Sequence, residues 1–156
     1  MTLMIERERR FLVAREPESL PQPQVIAQGY LTTGPASVRV RRIDGRFVLT
    51  IKTGSGRNRV EIERALAPEE FEALWAVATD LRIAKRRHRI DLADGNTAEL
   101  DLFDDDLAGK RLVEVEFTDD ASADAFVAPD WFGREVTEDG RYTNASLARY
   151  GWPTDQ

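Results

Sequence analysis

The chain alternates charged and apolar side chains in one short segment after another, and this alternation limits the folds open to it. Arg39 and Arg41 lie on one side of an extended segment that runs from Ser37 to Ile43, and two valines lie on the other side. A similar period of two recurs in about eight segments, which predicts strands joined largely by hairpins. The pattern therefore indicates an α+β protein dominated by antiparallel strands.

Turn and helix signals separate these segments. Asp44-Gly45 and Asp94-Gly95 are two-residue signals typical of β-hairpins. Pro68 fits the first position of a helix, and the apolar residues that follow it have helical spacing. We predict further helices over Ala121–Val127 and Thr137–Arg149.

The charged residues within most strands share one sign. The pairs are Arg39/Arg41, Glu61/Glu63, Lys85/Arg87, Glu99/Asp101 and Glu114/Glu116. The first strand differs, because it places Glu6, Glu8 and Arg10 in one row. Placing two carboxylates and a guanidinium side by side costs electrostatic free energy unless something lies between them. A divalent cation with an anion would fill this role, and so would water. A solvated sheet face usually mixes opposite charges, so separate acidic and basic strands are what a cavity with cations on one side and anions on the other would show.

Two arrangements of the sheet are compatible with this pattern. In the first, the charged faces are solvated and the apolar faces fill a barrel or pack on helices, which is the base expectation for charged residues. In the second, the charges line a wet interior and the apolar faces pack outward against helices. An eight-stranded barrel is wide enough to hold one small ligand. The pattern alone does not decide between the two.

Composition narrows the class of protein. With 156 residues, 42% of them hydrophobic, we expect one domain with an ordinary core. The net charge of −6 argues against a general nucleic-acid binder. There is no cysteine, no apolar run near the length of about 18 residues that spans a bilayer, and no signal-peptide core. We therefore expect a cytoplasmic protein without a nucleic-acid or membrane partner.

The opening stretch Glu6-Arg7-Glu8-Arg9-Arg10 resembles the Glu-x-Glu-x-Lys signature of the CYTH superfamily, the triphosphate tunnel metalloenzymes. The resemblance continues in order through Gln28–Leu31, Arg39–Arg41, Leu49–Thr53, Glu61–Glu63, Lys85–Arg87, Glu99–Asp101, Leu112–Phe117, Trp131–Thr137 and Arg141–Asn144. The last two stretches are similar to the bacterial inorganic triphosphatase branch. The resemblance implies a single CYTH-like domain over residues 1–156, an eight-stranded antiparallel β-barrel (tunnel) with peripheral helices and inward-pointing charges.

The resemblance also implies metal-dependent hydrolysis of inorganic triphosphate (tripolyphosphate). The cations expected to grip phosphoryl oxygens are Arg10, Arg39, Arg41, Lys52, Lys85 and Arg87. The candidate metal ligands are Glu6, Glu8, Glu61, Glu63, Asp101, Glu114 and Glu116, because carboxylate oxygens are the ligands that Mg²⁺ or Mn²⁺ prefers. One ion would bind the polyphosphate and a second would activate water, with Glu6, Glu8 and Arg10 as the catalytic set. For Glu61, Glu63 and Glu99, a salt bridge to a tunnel cation is the alternative role.

Arg10 stands where the family usually has Lys. It keeps the positive charge, but a guanidinium is not interchangeable with an ammonium and does not exchange its proton. Tyr30 is expected either to orient Arg10 or to pack, and Arg141 is a candidate for closing one tunnel mouth. His88 is expected outside the tunnel, and the outward arginines are expected to be solvated: Arg7, Arg9, Arg42 and Arg86.

Three functions stay open from the sequence. Besides hydrolysis of inorganic triphosphate, the same tunnel could serve an adenylyl cyclase or a thiamine or nucleoside triphosphatase. The third is a non-catalytic polyphosphate-binding module, which is suggested by Arg10 at the position where the family usually has Lys. The sequence is compatible with a monomer or a homodimer.

Overall fold

Nine strands and three α-helices run through residues 2–54 and 56–154, the part of the chain described by a computed structural model. The strands are β1 (Thr2–Val13), β2 (Gln24–Thr33), β3 (Ala36–Ile43), β4 (Arg46–Thr53), β5 (Asn58–Ala65), β6 (Arg82–Asp91), β7 (Thr97–Phe103), β8 (Arg111–Phe117) and β9 (Phe132–Glu135). The helices are α1 (Pro68–Val77), α2 (Asp120–Ala125) and α3 (Asn144–Tyr150), with 3₁₀ turns at Asp105–Leu107 and Gly140–Tyr142. No helix among these residues is long and apolar enough to cross a membrane.

Strand β1 closes the sheet into a ring. The first half of this 12-residue strand pairs with β5 and the second half pairs with β8, both antiparallel. Around the ring of described strands the order is β1-β5-β4-β3-β2-β6-β7-β8 and back to β1. The predicted eight-stranded antiparallel barrel is confirmed. A ninth strand, β9, which was not predicted, pairs with the end of β1.

The Asp44-Gly45 hairpin has the backbone that its sequence predicts. Asp44 and Gly45 have φ angles of 50° and 73°, and Ile43 pairs with Arg46 across the turn. Positive φ at both central residues is the two-residue turn that matches the twist of the strands, and Asp and Gly tolerate that conformation.

The apolar faces of the strands point away from the barrel axis. Phe11, Val113 and Val115 belong to a buried cluster that also contains Phe126, which follows α2, and Phe132 of β9. On the other side of the barrel, α1 packs through Phe71, which is fully buried, with ring centroids 4.7 Å from Phe47 and 5.4 Å from Trp75. Helices α1 and α2 therefore cover the outside of the barrel, so the second of the two arrangements is the one observed.

One end of the barrel is filled by apolar side chains. Ile83, Phe103 and Leu112 continue the inward rows of β6, β7 and β8 beyond the last charged positions. They pack against residues from the C-terminal segment, among them Tyr142 and Leu147. This end of the interior is therefore closed, and the charged stretch lies toward the other end.

The helix predicted over Thr137–Arg149 is wrong in its first half. The Asp139 carboxylate accepts a hydrogen bond from the Arg141 amide, and the Thr143 hydroxyl accepts one from the Ser146 amide, which places the start of α3 at Asn144. Short polar side chains that bind nearby backbone in this way compete with a continuous helix.

Candidate functional site

A cavity of about 210 Å³ lies inside the barrel and is lined largely by charged side chains. It brings together the inward residues predicted from strand parity: Glu6, Glu8, Arg10, Arg39, Arg41, Lys52, Glu61, Glu63, Lys85, Arg87, Glu99, Glu114 and Glu116. Asp101 is fully buried and does not reach the cavity surface, because it binds Lys85 and Arg87.

The cavity has two walls of opposite character, which follow from the order of the strands. The inward carboxylates come from β7, β8, β1 and β5, which are consecutive around the ring. Most of the inward cations come from β4, β3 and β6, with β2 between the last two. We call these the acidic wall and the basic wall. Two arginines, Arg10 and Arg59, lie on the acidic wall.

Three carboxylates of the acidic wall converge. Oxygen atoms of Glu6, Glu8 and Glu116 all lie within 4.8 Å of one another. Lys52 lies close to this group, with its Nζ 3.1 Å from one oxygen of Glu6 and 3.6 Å from one oxygen of Glu61, which leaves further lone pairs on these carboxylates. A set of hard oxygen donors with unused lone pairs fits a divalent cation.

The pKa values of these carboxyls reflect their crowding. Burial and then the charges of Glu99 and Glu6 raise the pKa of Glu116 to about 7. Burial and the neighbouring Glu114 raise the pKa of Glu8 well above its usual range. Although burial opposes it, the guanidinium of Arg10 holds the pKa of Glu114 well below its usual range. Without a bound cation, the acidic wall therefore favours retention of protons at Glu8 and Glu116.

Arg10 is held by the acidic wall itself. One terminal nitrogen of its guanidinium donates to Glu8 at 2.8 Å and to Glu114 at 3.0 Å, and the side chain is buried. The expectation that the Tyr30 hydroxyl orients Arg10 is wrong. That hydroxyl accepts a hydrogen bond from Gln28 and raises the pKa of the neighbouring Arg39 against the effect of burial.

The basic wall is held in place by buried partners. Lys85 donates to Asp101 and to Asn144, both at 2.7 Å, and Arg87 donates to both oxygens of Asp101 at 2.8 and 2.9 Å. Burial lowers the pKa of Lys85 to about 7, although the Asp101 carboxylate works in the opposite direction.

Gln28 connects several members of the wall. Its carbonyl oxygen accepts two hydrogen bonds from Arg41, at 2.9 and 2.7 Å, and its amide donates to Tyr30 and Asn144. Burial, with the nearby cations Arg39 and Arg87, lowers the pKa of Arg41 to about 9, which leaves it charged at neutral pH.

Several lining residues were missed by the sequence reasoning. Arg59 shares the parity of Glu61 and Glu63, so the period of two could have revealed it. The neutral partner Asn144 lies in the segment predicted to be a longer helix. The Arg141–Asn144 stretch of the family resemblance included it, but charge and parity gave it no role.

Three further residues lie near the site. Arg141 is not among the residues that line the cavity, and its guanidinium binds Asp139. Arg9 is outside the barrel as predicted, but it is not simply solvated, because it binds Glu135 through two nitrogens and donates to two backbone oxygens near α2. His88 is outside the tunnel, with its Nδ1 2.6 Å from the Pro21 oxygen.

Known proteins share this sequence and architecture. An inorganic triphosphatase from Nitrosomonas europaea is 42% identical over 147 residues, which cover 93% of this chain and 97% of that protein. An inorganic triphosphatase from Acetivibrio thermocellus is 34% identical over 148 residues, covering 92% and 93%. A crystal structure of an inorganic triphosphatase has a TM-score of 0.70 at 40% identity and covers 92% of this chain and 93% of that one. The CYTH domain profile matches residues 4–146, and the chain belongs to the CYTH domain family.

Proposed function

We propose that this protein hydrolyses inorganic triphosphate inside the barrel, with the help of a divalent metal ion. The observation that carries the proposal is the division of one cavity into an acidic wall and a basic wall. A polyphosphate chain needs cations against its oxygens, and a metal ion needs carboxylates on its other side. The two inorganic triphosphatases that resemble this chain support the choice of substrate.

The acidic wall provides the metal ligands in this proposal. We assign Glu6, Glu8 and Glu116 as the first set, because their oxygens already converge. Glu61, Glu63 and Glu114 line the same cavity and would support a second ion when substrate is bound. Carboxylate oxygens favour Mg²⁺ or Mn²⁺, and such ions offset phosphoryl charge and lower the pKa of bound water.

The basic wall provides the substrate contacts. Arg39, Arg41, Lys52, Lys85 and Arg87 would bind phosphoryl oxygens and stabilise the charge that spreads over them in the transition state. Asp101 is better explained as the carboxylate that fixes Lys85 and Arg87 than as a metal ligand, since those cations occupy its two oxygens.

Arg10 would act by charge and position. It remains protonated, so it cannot exchange a proton with substrate or water. Its guanidinium neutralises part of the Glu8 and Glu114 charge and would lie beside the converging carboxylates of the acidic wall. The reaction needs positioning and electrostatic stabilisation more than a covalent nucleophile, and the chain has no cysteine.

Phosphate release from inorganic triphosphate tests the proposal. We expect release with Mg²⁺ or Mn²⁺ and none with a chelator, and we expect Glu8→Ala to remove the metal-dependent release while the protein stays folded. No release from folded wild-type protein would contradict hydrolysis of this substrate. The same assay with ATP and thiamine triphosphate, together with an assay for cyclic AMP, would then separate another triphosphate substrate from a binding module.

A further inference from the structure

The tunnel cations differ in whether the protein already binds them. Lys52 contacts Glu6 at 3.1 Å, and Arg10, Arg41, Lys85 and Arg87 each have a carboxylate or amide partner. Arg39 lies beside the Tyr30 hydroxyl. Arg59 has no hydrogen bond or ion pair to any residue within 2–54 and 56–154. The Nε atoms of Arg59 and Arg39 are both buried without a hydrogen-bond partner there, but Arg59 lies on the acidic wall, away from the other unpartnered cation.

Arg59 is nevertheless buried. Its relative exposure is 9%, its Nε is shielded from solvent without a hydrogen-bond partner, and its side chain lines the charged cavity. A buried guanidinium without a partner costs free energy, since its hydration is lost and nothing replaces it. Such a cost is typical of functional positions, where a ligand supplies the missing partner.

The position of Arg59 identifies the missing partner as an anion. On the barrel wall, Arg59 lies directly opposite Glu6 in the β1–β5 pairing, next to the converging carboxylates. A carboxylate-bound metal ion would bring phosphoryl oxygens to this place. The planar guanidinium has several donors that match the oxygens of a phosphoryl group.

We infer that Arg59 is a further substrate-binding residue, which contacts the phosphoryl group of triphosphate from the acidic wall, opposite the cations of the basic wall. This inference rests on the proposed function for the identity of the anion. The substrate would then be contacted by cations from both walls of the cavity. The charges of the individual strands alone predict cations mainly on the basic wall.

The inference predicts a combination of effects that a structural arginine would not produce. In Arg59→Gln, inorganic triphosphate should bind about 10- to 100-fold more weakly, the loss expected for one charge-assisted contact. The melting temperature without ligand should change little, because the removal of an unpaired buried charge is offset by the loss of a cation beside the crowded carboxylates of the acidic wall. Arg59→Lys keeps the positive charge but loses the planar set of donors of the guanidinium, so it should bind inorganic triphosphate with intermediate affinity.

Calorimetric titration with a non-hydrolysable imido analogue of triphosphate in the presence of Mg²⁺, thermal unfolding, and metal-dependent phosphate release would measure these effects. The matched control is Arg64→Gln on the same strand, since Arg64 faces outward and pairs with Glu70 at 3.0 Å. Arg64→Gln should bind triphosphate like wild type. In the release assay, Arg59→Gln should show a raised KM, rescued in part by Arg59→Lys.

The outcomes separate this inference from the proposed function. Wild-type affinity in Arg59→Gln would overturn the inference while leaving hydrolysis in place. If that variant does not fold, wild-type affinity in Arg59→Lys combined with a lower melting temperature would overturn it instead. Binding by wild type that depends on Arg59, without phosphate release, would overturn hydrolysis and support the inference. Absence of triphosphate binding to wild type would overturn both.

Discussion

The guanidinium of Arg10 lies between two buried carboxylates, and this geometry determines what a substitution should do. In Arg10→Ala, Glu8 and Glu114 would lose their shared cation, and we expect the free energy of unfolding to fall by about 3–5 kcal/mol. Arg10→Lys keeps a charge at the position where the family usually has Lys, so its turnover should equal or exceed wild type. Chemical denaturation and phosphate release measure the two effects. Complete loss of turnover in Arg10→Lys would contradict this interpretation of the position.

Glu116 should make metal binding depend on pH. Its pKa is raised to about 7, so below that pH the carboxyl carries a proton that a cation must displace. The affinity for Mn²⁺ should therefore increase from pH 6 to pH 8, by about tenfold from this one group. Titration calorimetry at several pH values measures the increase. In Glu116→Gln the increase should shrink, and an unchanged pH dependence would remove Glu116 from the ligand set.

Individual residues also show which features of the site can be predicted from the sequence. The inward positions of Glu6, Glu61 and Lys85 follow from parity, because alternate side chains of a strand must share a face. Pattern alone could not say that this face points inward, since an exposed charged face gives the same alternation. The partners of Arg10, and the lack of a hydrogen-bond partner for Arg59 Nε within residues 2–54 and 56–154, depend on neighbouring strands and cannot be read from one segment of the sequence.

At the scale of elements, close contact between α1 and β2 depends on a glycine. A Cβ at Gly29 would lie 2.9 Å from the Ala78 Cβ and 3.2 Å from the Trp75 ring. Gly29→Ala should therefore displace the end of α1 and lower the free energy of unfolding by about 1–3 kcal/mol. Denaturant titration measures this. Ala78→Gly in the same chain should restore part of the loss, and a Gly29→Ala protein as stable as wild type would contradict the tight packing.

The elements themselves differed in how predictable they were. The eight barrel strands were found because their alternation and turn signals are local, as at Asp44-Gly45. The four-residue strand β9 was not, because it forms by pairing with distant β1. The helix predicted over Thr137–Arg149 includes the segment before α3, but Asp139 and Thr143 bind nearby backbone amides and interrupt it.

At the scale of the whole molecule, the barrel holds like charges together along its acidic wall, and this should limit its stability. The pKa values of Glu8, Glu61 and Glu116 are raised above their usual values, so the folded protein binds more protons than the unfolded chain in this range. The free energy of unfolding of metal-free protein should therefore fall as pH rises from about 5 to 7. Denaturant titrations across this range, with chelator and with Mg²⁺, measure the effect. Mg²⁺ should reduce the fall, and a rise in stability over this range would contradict the assigned crowding.

The central claim is that the carboxylates inside the barrel hold the metal ion used for triphosphate hydrolysis. Anomalous X-ray scattering from crystals soaked with Mn²⁺ and a non-hydrolysable imido analogue of triphosphate tests it most directly. We predict an Mn²⁺ peak inside the cavity, coordinated by Glu6, Glu8 and Glu116, with triphosphate between it and the basic wall. A peak bound only outside the barrel, or triphosphate bound elsewhere on the surface, would contradict the claim.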